Sequence, residues 1–293
     1  MSDLPATEGR SERTRDLDTR ATVDVVRLIV DDQRRAADAV LAQRAAIAQV
    51  VEEISQRVRA GGRVHYVGAG TSGRLGVLDA SEMPPTFGTD PALVCAHVAG
   101  GDRALRAAIE GAEDDASAGD AEMRDHVAAG DAVLGLSASG GAPYVAAALR
   151  AARARGAYTV AIVNARGSLL AAIAQEAIVL ETGPEVLAGS TRLKAGTAQK
   201  IALNAISTAV MVRIGKVYDN LMVDVVATNE KLRGRARRLV CALGGVDADR
   251  ASELLAQAGG RVKTAVVMAR RGVDANEAAA LLAREHGVLR ALL

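Results

Sequence analysis

Five short runs rich in β-branched and apolar residues, separated by glycine-rich turns and helical stretches, constrain this chain more than any other feature. They lie at residues 63–67, 93–99, 131–136, 158–163 and 177–180. Strands that alternate with helices build right-handed βαβ units, so the pattern predicts an α/β fold. The expected core is a doubly wound, about five-stranded parallel sheet with helices on both faces. Upstream, Val23, Val26, Leu28, Ile29, Val40, Leu41, Ile47, Val50, Val51 and Ile54 recur at helical spacing, predicting a leading pair of helices closed by Gly61-Gly62. Downstream, long helical segments are expected over 194–217 and 229–243. Beyond Gly244-Gly245, stretches at 249–258, 262–271 and 276–293 read as a small three-helix unit. The expected organisation is a polar arm with leading helices over 1–60, a central α/β domain over 61–243, and a helical tail unit over 244–293.

Charge and cysteine content narrow the partners. Lys plus Arg is 36 and Asp plus Glu is 35, a formal charge of +1, so no global field favours nucleic acid or an anionic membrane. An anionic ligand must be held locally. The basic cluster Arg233, Arg235, Arg237 and Arg238 reads as a solvated helix face. Cys95 and Cys241 are too few for a disulfide framework and suit a reducing compartment. The first 16 residues are polar and no later run reaches bilayer-spanning length, so a soluble, cytoplasmic protein is expected. His65, His97, His126 and His286 show no metal-ligand spacing, so neither metal nor cofactor is expected, and His65 reads as a hydrogen-bonded core residue. The four tyrosines are too sparse to stack nucleic-acid bases.

Two glycine-rich loops carry the candidate chemistry. Gly68-Ala69-Gly70-Thr71-Ser72-Gly73 follows the first strand and opens a helix, whose free N–H groups and positive dipole end suit an anion. The string also fits a dinucleotide fingerprint, but the second strand ends in Gly100-Gly101 rather than the acid that a ribose would require. Thr71 and Ser72 instead offer hydroxyls to a phosphate monoester. Ser137-Ala138-Ser139-Gly140-Gly141-Ala142-Pro143 follows the third strand in the same way, and Ser137, Ser139 and Gly140 are candidates to share the same anion. The plainer reading of these serines is ordinary helix capping. A third segment, Gly189-Ser190-Thr191-Arg192-Leu193-Lys194, precedes a long helix and offers the Ser190 and Thr191 hydroxyls and the Lys194 cation, or a capping loop with solvent-facing charges. Glu82, before a Pro84-Pro85 break, and Glu113, in an acidic run, are carboxylates whose role the residues alone leave open.

The segment from Val67 to Gly88, VGAGTSGRLGVLDASEMPPTFG, closely resembles the signature of N-acetylmuramic acid 6-phosphate etherases, which have the sugar isomerase (SIS) fold. The resemblance continues through Ala99-Gly100-Gly101, Glu110-Gly111-Ala112-Glu113-Asp114, Gly189 to Lys200, and Gly215-Lys216-Val217-Tyr218 with Asn220 to Asp224, so it covers nearly the whole chain. It implies a carbon–oxygen lyase acting on a phosphosugar, without cofactor, typically as a homodimer. Glu82 and Glu113 match the family's catalytic pair, and the loops holding Gly70, Thr71, Ser72, Gly73, Ser137, Ser139 and Gly140 match its phosphate site. One departure stands out: Gly141-Ala142 replaces the Arg-Thr of the family pattern. The implied reaction removes the C2 proton of the open-chain aldehyde with one glutamate and protonates the departing D-lactate with the other, after which water adds to the unsaturated aldehyde; Glu113 is the expected base and Glu82 the expected acid, with the reverse assignment open. Glu82 must then keep its proton near neutral pH, which shielding by Pro84, Pro85 and Phe87 would favour. An aldose–ketose isomerase and a non-catalytic phosphosugar sensor are the alternatives on the same fold.

Overall fold

The structure, a computed structural model, describes residues 5–225 and 230–293. Met1 to Leu4 of the expected polar arm, and Asn229, the expected start of a helix, lie outside the described residues. The arm makes three 3-10 turns, at Ala6–Glu8, Glu12–Thr14 and Leu17–Thr19. Two helices follow, α1 (Thr22–Ala42) and α2 (Arg44–Arg59). The β/α alternation is β1 (Val64–Gly68), α3 (Gly70–Phe87), β2 (Val94–Val98), α4 (Ala116–His126), β3 (Ala132–Ser137), α5 (Pro143–Ala154), β4 (Tyr158–Val163), α6 (Leu169–Ile173) and β5 (Glu176–Val179). A long helix, α7 (Lys194–Arg213), closes it.

All neighbouring pairs in the sheet are parallel, in the order β2-β1-β3-β4-β5. The expected five-stranded, doubly wound sheet is therefore present. β1 and β3 pair throughout, from Val64 with Ala132 to Gly68 with Leu136. Their connections run in opposite directions across the sheet, which makes their carboxyl ends the topological switch point where ligands bind in open α/β folds. Fully buried β3 and β4 read as near-continuous apolar runs, as strands covered on both faces should.

The chain gathers into two compact units, Met1–Ala80 with Ala92–Ser207, and Ser81–Pro91 with Thr208–Leu293. In the first, β1, β3 and β4 pack with α4 and α5 around Val67, Met123, Val133, Leu149, Ala161 and Val163. The leading helices belong to it too; Gln49 of α2 donates to the Glu176 carboxylate of β5 at 3.2 Å. The second unit contains a short hairpin, β6 (Val217–Tyr218) and β7 (Leu221–Met222), then α8 (Glu230–Gly244), α9 (Ala248–Gln257), α10 (Val262–Arg271) and α11 (Ala275–Arg284). The boundary expected at Gly244 falls inside this unit. The reason is α8: Ala236, Leu239 and Val240 are buried in one core with Leu254 of α9, Val266 of α10 and Leu282 of α11.

Helix α3 also departs from expectation, because it continues through Pro84 and Pro85 to Phe87 instead of breaking before them. Each proline removes one backbone donor from the ladder. Met83 and Phe87, one turn apart, are buried at 4% and 5% exposure and hold the last turn, which Gly88 closes by donating to the Pro84 carbonyl at 2.9 Å.

A buried acid ties β1, α3 and α7 within the first unit. Asp79 accepts from the Tyr66 hydroxyl at 3.0 Å, Asn204 Nδ2 at 2.6 Å and Ser207 Oγ at 3.2 Å. Replacing Asp79 with Ala orphans these three donors together and should lower stability by about 3 kcal/mol, measured by urea unfolding of protein whose helical content is unchanged.

Candidate functional site

The first loop is built on two close backbone approaches. A Cβ on Gly73 would lie 2.6 Å from the Gly68 carbonyl oxygen and 2.7 Å from Val98 Cγ2, so only glycine lets α3 start this near the sheet. The helix opens at Gly70, which takes φ +53°, and the N–H groups of its first turn have no intrahelical acceptor. Thr71 is half-buried and Gly70 exposed at this end of β1. Ser72 differs from its expected role: it is buried and its hydroxyl donates to Gln199 Oε1 at 2.7 Å, while Gln199 donates to Asn164 at 3.1 Å. Ser72 thus links the loop to α7 and to the end of β4. Sequence reasoning did not single out Gln199 or Asn164, because a buried amide chain has no signal in spacing.

The second loop lies at the end of β3, beside the first. Ser137 Oγ accepts from Gly140 N at 3.1 Å and Ser139 Oγ accepts from Gly141 N at 3.3 Å, so both hydroxyl oxygens fold the loop and leave their protons to donate elsewhere. Gly140 takes φ +70°, and a Cβ there would lie 2.3 Å from Ser168 Oγ. That Ser168 hydroxyl is buried and without a hydrogen-bond partner among the described residues. It is a polar group at the loop that the sequence did not suggest.

The third segment comes together with the first: a Cβ on Gly196 would lie 3.3 Å from the Thr191 carbonyl and 3.5 Å from Thr71 Cγ2. Its helix N-terminus, however, is already capped. Glu185 accepts from Lys194 N at 3.2 Å and Ala195 N at 2.9 Å, and the next two N–H groups bond Thr191 and Leu193 carbonyls. Burial pushes the Glu185 carboxyl up despite these two N–H donors. Lys194 is fully buried, with Nζ 2.6 Å from Asp32 Oδ2 of α1 and donating to the Pro184 carbonyl. The expected cation is therefore a structural one. Ser190 and Thr191, half-buried, keep their side chains at this junction.

The carboxylates sit on separate elements. Glu113 is exposed in the 3-10 turn Ala112–Asp114, between Gly111 at φ +73° and the Asp115 cap of α4, which accepts from Ala118 N at 2.9 Å. The segment before it is pinned by Arg74 of α3, which donates to the Ala104 and Ala107 carbonyls at 2.8 and 3.1 Å. Glu82 is exposed on α3, as is Pro85, so the shielding expected from the prolines is not provided there. His65 is buried and hydrogen-bonded, as expected of a core histidine. The absence of ligand spacing along the chain does not carry into space, where His97, Glu122 and His126 converge.

Comparison with known proteins places this arrangement. Residues 46–153 match the family model for the glucokinase regulatory protein N-terminal SIS domain, and residues 113–209 match that for the SIS domain. Proteins named N-acetylmuramic acid 6-phosphate etherase are 53% identical over 267 residues in Geobacillus thermodenitrificans, covering 90% of both chains. One in Mycolicibacterium smegmatis is 50% identical, covering 89% of this chain and 88% of that one. This chain belongs to the N-acetylmuramic acid 6-phosphate etherase family. The fold of the etherase core is shared with a phosphoheptose isomerase from Francisella tularensis, with TM-score 0.50 and 15% identity over 65% of this chain and 98% of that one. A putative phosphosugar isomerase from Bacteroides fragilis gives TM-score 0.50 and 16% identity over 68% and 95%.

The structural assignment of Lys194 in this etherase-family chain has a direct test. Lys194→Met leaves the buried Asp32 with only the more distant guanidinium groups of Arg13 and Arg35, at 3.9 and 3.8 Å, and should cost about 3 kcal/mol in thermal or urea unfolding, whereas Lys194→Met with Asp32→Leu should recover most of the loss.

Proposed function

We infer that the protein cleaves the D-lactyl ether of N-acetylmuramic acid 6-phosphate by elimination and hydration, giving N-acetylglucosamine 6-phosphate and D-lactate. The observation that carries this reading is the pair of loops at the β1/β3 switch point in a chain 53% identical to a protein named for that reaction. The phosphate is held by the first-turn N–H groups of Gly70 and Thr71 and the Thr71 hydroxyl, on the loop that Gly73 closes by donating to the Ala69 carbonyl at 3.2 Å, and by the Ser137 and Ser139 hydroxyls on the loop that Gly140 turns. Ser72 positions the first loop through Gln199, and Ser190 and Thr191 border it. Buried Ala142 and exposed Gly141 place no cation or hydroxyl where the family pattern has Arg-Thr, so these loops bind phosphate through neutral donors.

The chemistry requires two carboxyl groups. The C2 proton is acidified by the adjacent aldehyde and passes to Glu113, forming an enolate whose collapse breaks the C3–O bond. The lactyl oxygen leaves as an alcohol because Glu82 gives it a proton. Water then adds across the C2–C3 double bond, its oxygen to C3 and a proton to C2. Incubation with N-acetylmuramic acid 6-phosphate should release free D-lactate, and Glu82→Gln and Glu113→Gln should each lower kcat by about 10²–10⁴-fold. Phosphosugar binding without lactate from folded wild-type protein would overturn the reading in favour of an isomerase or a sensor.

The working unit is a cytoplasmic homodimer. Among the described residues no helix is long and apolar enough to cross a membrane. Val23, Val26 and Val30, at 74%, 54% and 60% exposure, form an apolar stripe along one face of α1, the kind of surface that a second copy covers. Val26→Asp with Val30→Asp should shift the sedimentation coefficient from dimer to monomer without loss of helical signal.

A further inference from the structure

A chain of polar groups runs through the α4-covered face of the sheet, from Asp131 through His65 and His97 to Glu122. The register pairs His65 with Cys95 and Val67 with His97, so His65 of β1 and His97 of β2 project from the same face. Asp131, in the turn before β3, accepts from Arg63 N and Ala128 N, each at 2.8 Å, and faces His65 Nε2 at 3.3 Å. Burial alone would raise the Asp131 carboxyl, but the two backbone donors outweigh it and hold it below its ordinary range. His65 is fully buried.

Each contact in the chain uses a ring nitrogen: His65 Nδ1 and His97 Nε2 lie 3.0 Å apart, and His97 Nδ1 lies 2.7 Å from Glu122 Oε1. His97 Nδ1 is thereby aimed at α4, and an ion bound there would leave Nε2–H to donate to His65. His126, four residues after Glu122 on α4, brings Nδ1 to 2.9 Å from the Glu122 carbonyl oxygen and 3.6 Å from the same carboxylate oxygen, Oε1. One ligating atom each from His97, Glu122 and His126 lies within 4.8 Å of the others.

We propose that His97, Glu122 and His126 form a binding site for one divalent transition-metal cation of the Zn²⁺ type, with His65 and Asp131 as its outer shell. Two imidazoles and a carboxylate suit such an ion, and helix positions four apart present two ligands on one face. The outer shell matches what metal-bound histidines use, a hydrogen-bond relay ending in a carboxylate that fixes tautomer and ring orientation. Metal–ligand bonds of about 2.0–2.2 Å need the carboxylate to draw back slightly from His97. The Glu122 side chain is 37% exposed and His126 54%, so the carboxylate has room to move and the ion a route from solvent. His126 ends α4 near the start of β3, at the amino edge of the sheet, whereas the glycine-rich loops lie at the carboxyl edge. The ion therefore clamps α4 to β2 and takes no part in sugar chemistry. This inference does not depend on the proposed reaction.

The test is zinc titration of chelator-treated full-length protein by calorimetry, with cobalt substitution read by visible absorption. Wild type should bind one ion per chain and melt at higher temperature with zinc. Glu122→Gln and His126→Gln, both at the outer end of the cluster, should each weaken binding by more than the roughly 10–100-fold that losing an outer-shell partner costs. The double variant should lose the zinc-dependent shift in Tm while keeping its metal-free Tm. Absence of saturable zinc binding would overturn the proposal, as would equal binding by the double variant. Nitrogen spectra showing His97 Nδ1 protonated at neutral pH in a protein that ignores zinc would likewise overturn it, leaving a hydrogen bond to Glu122 in place of the ion.

Discussion

The parallel pairing of β1 with β3 is the constraint on which the rest of the molecule turns. Because β2 lies outside β1 while β4 and β5 extend beyond β3, the two central strands send their connections apart and leave a crevice at their carboxyl ends. Both glycine-rich loops open there. Gly73 and Gly140 then let two helices begin close to the same crevice, one through a backbone approach that no side chain tolerates and the other through a left-handed turn. In a different strand order the two loops would not meet.

Behind that crevice the chain is braced by polar groups rather than by bulk. The sequence has one Phe and no Trp, and much of its core is alanine and valine, which pack closely but fix orientation poorly. Directional contacts supply what large side chains do not. Asp79 collects three donors, Gln199 spans from Ser72 to Asn164, and Glu185 caps α7. Each joins elements far apart in sequence, so each helps to specify one arrangement among the many that small apolar residues would permit.

Much of this was legible in the sequence because it rests on local signals. The strand at 158–163 was read at its observed bounds, and the loops after β1 and β3 announced themselves by glycine and serine at helix starts. Features that depend on distant partners were not legible. Lys194 looked like a ligand for phosphate until Asp32 was placed against it, and Ser72 like an open donor until Gln199 was found accepting its hydrogen bond. The prolines in α3 suggested a break because local rules ignore the buried Met83 and Phe87 that hold the turn. His65, His97, Glu122, His126 and Asp131 have no common spacing; only strand register and the return of α4 bring them into line.

The ion pair between Asp32 and Lys194 spans 162 positions. At synthesis rates of about 5–20 residues per second, the acid on the first helix waits roughly 8–32 s for its cation to be made. Throughout that interval Asp32 has only the guanidinium groups of Arg13 and Arg35, at 3.9 and 3.8 Å from its other oxygen, and the sheet is still incomplete. The earliest helix to emerge is thus secured by one of the latest parts of the first unit. A nascent chain stalled before α7 would carry an unsettled leading helix, and completion of the α/β unit becomes the event that fixes its amino-terminal end.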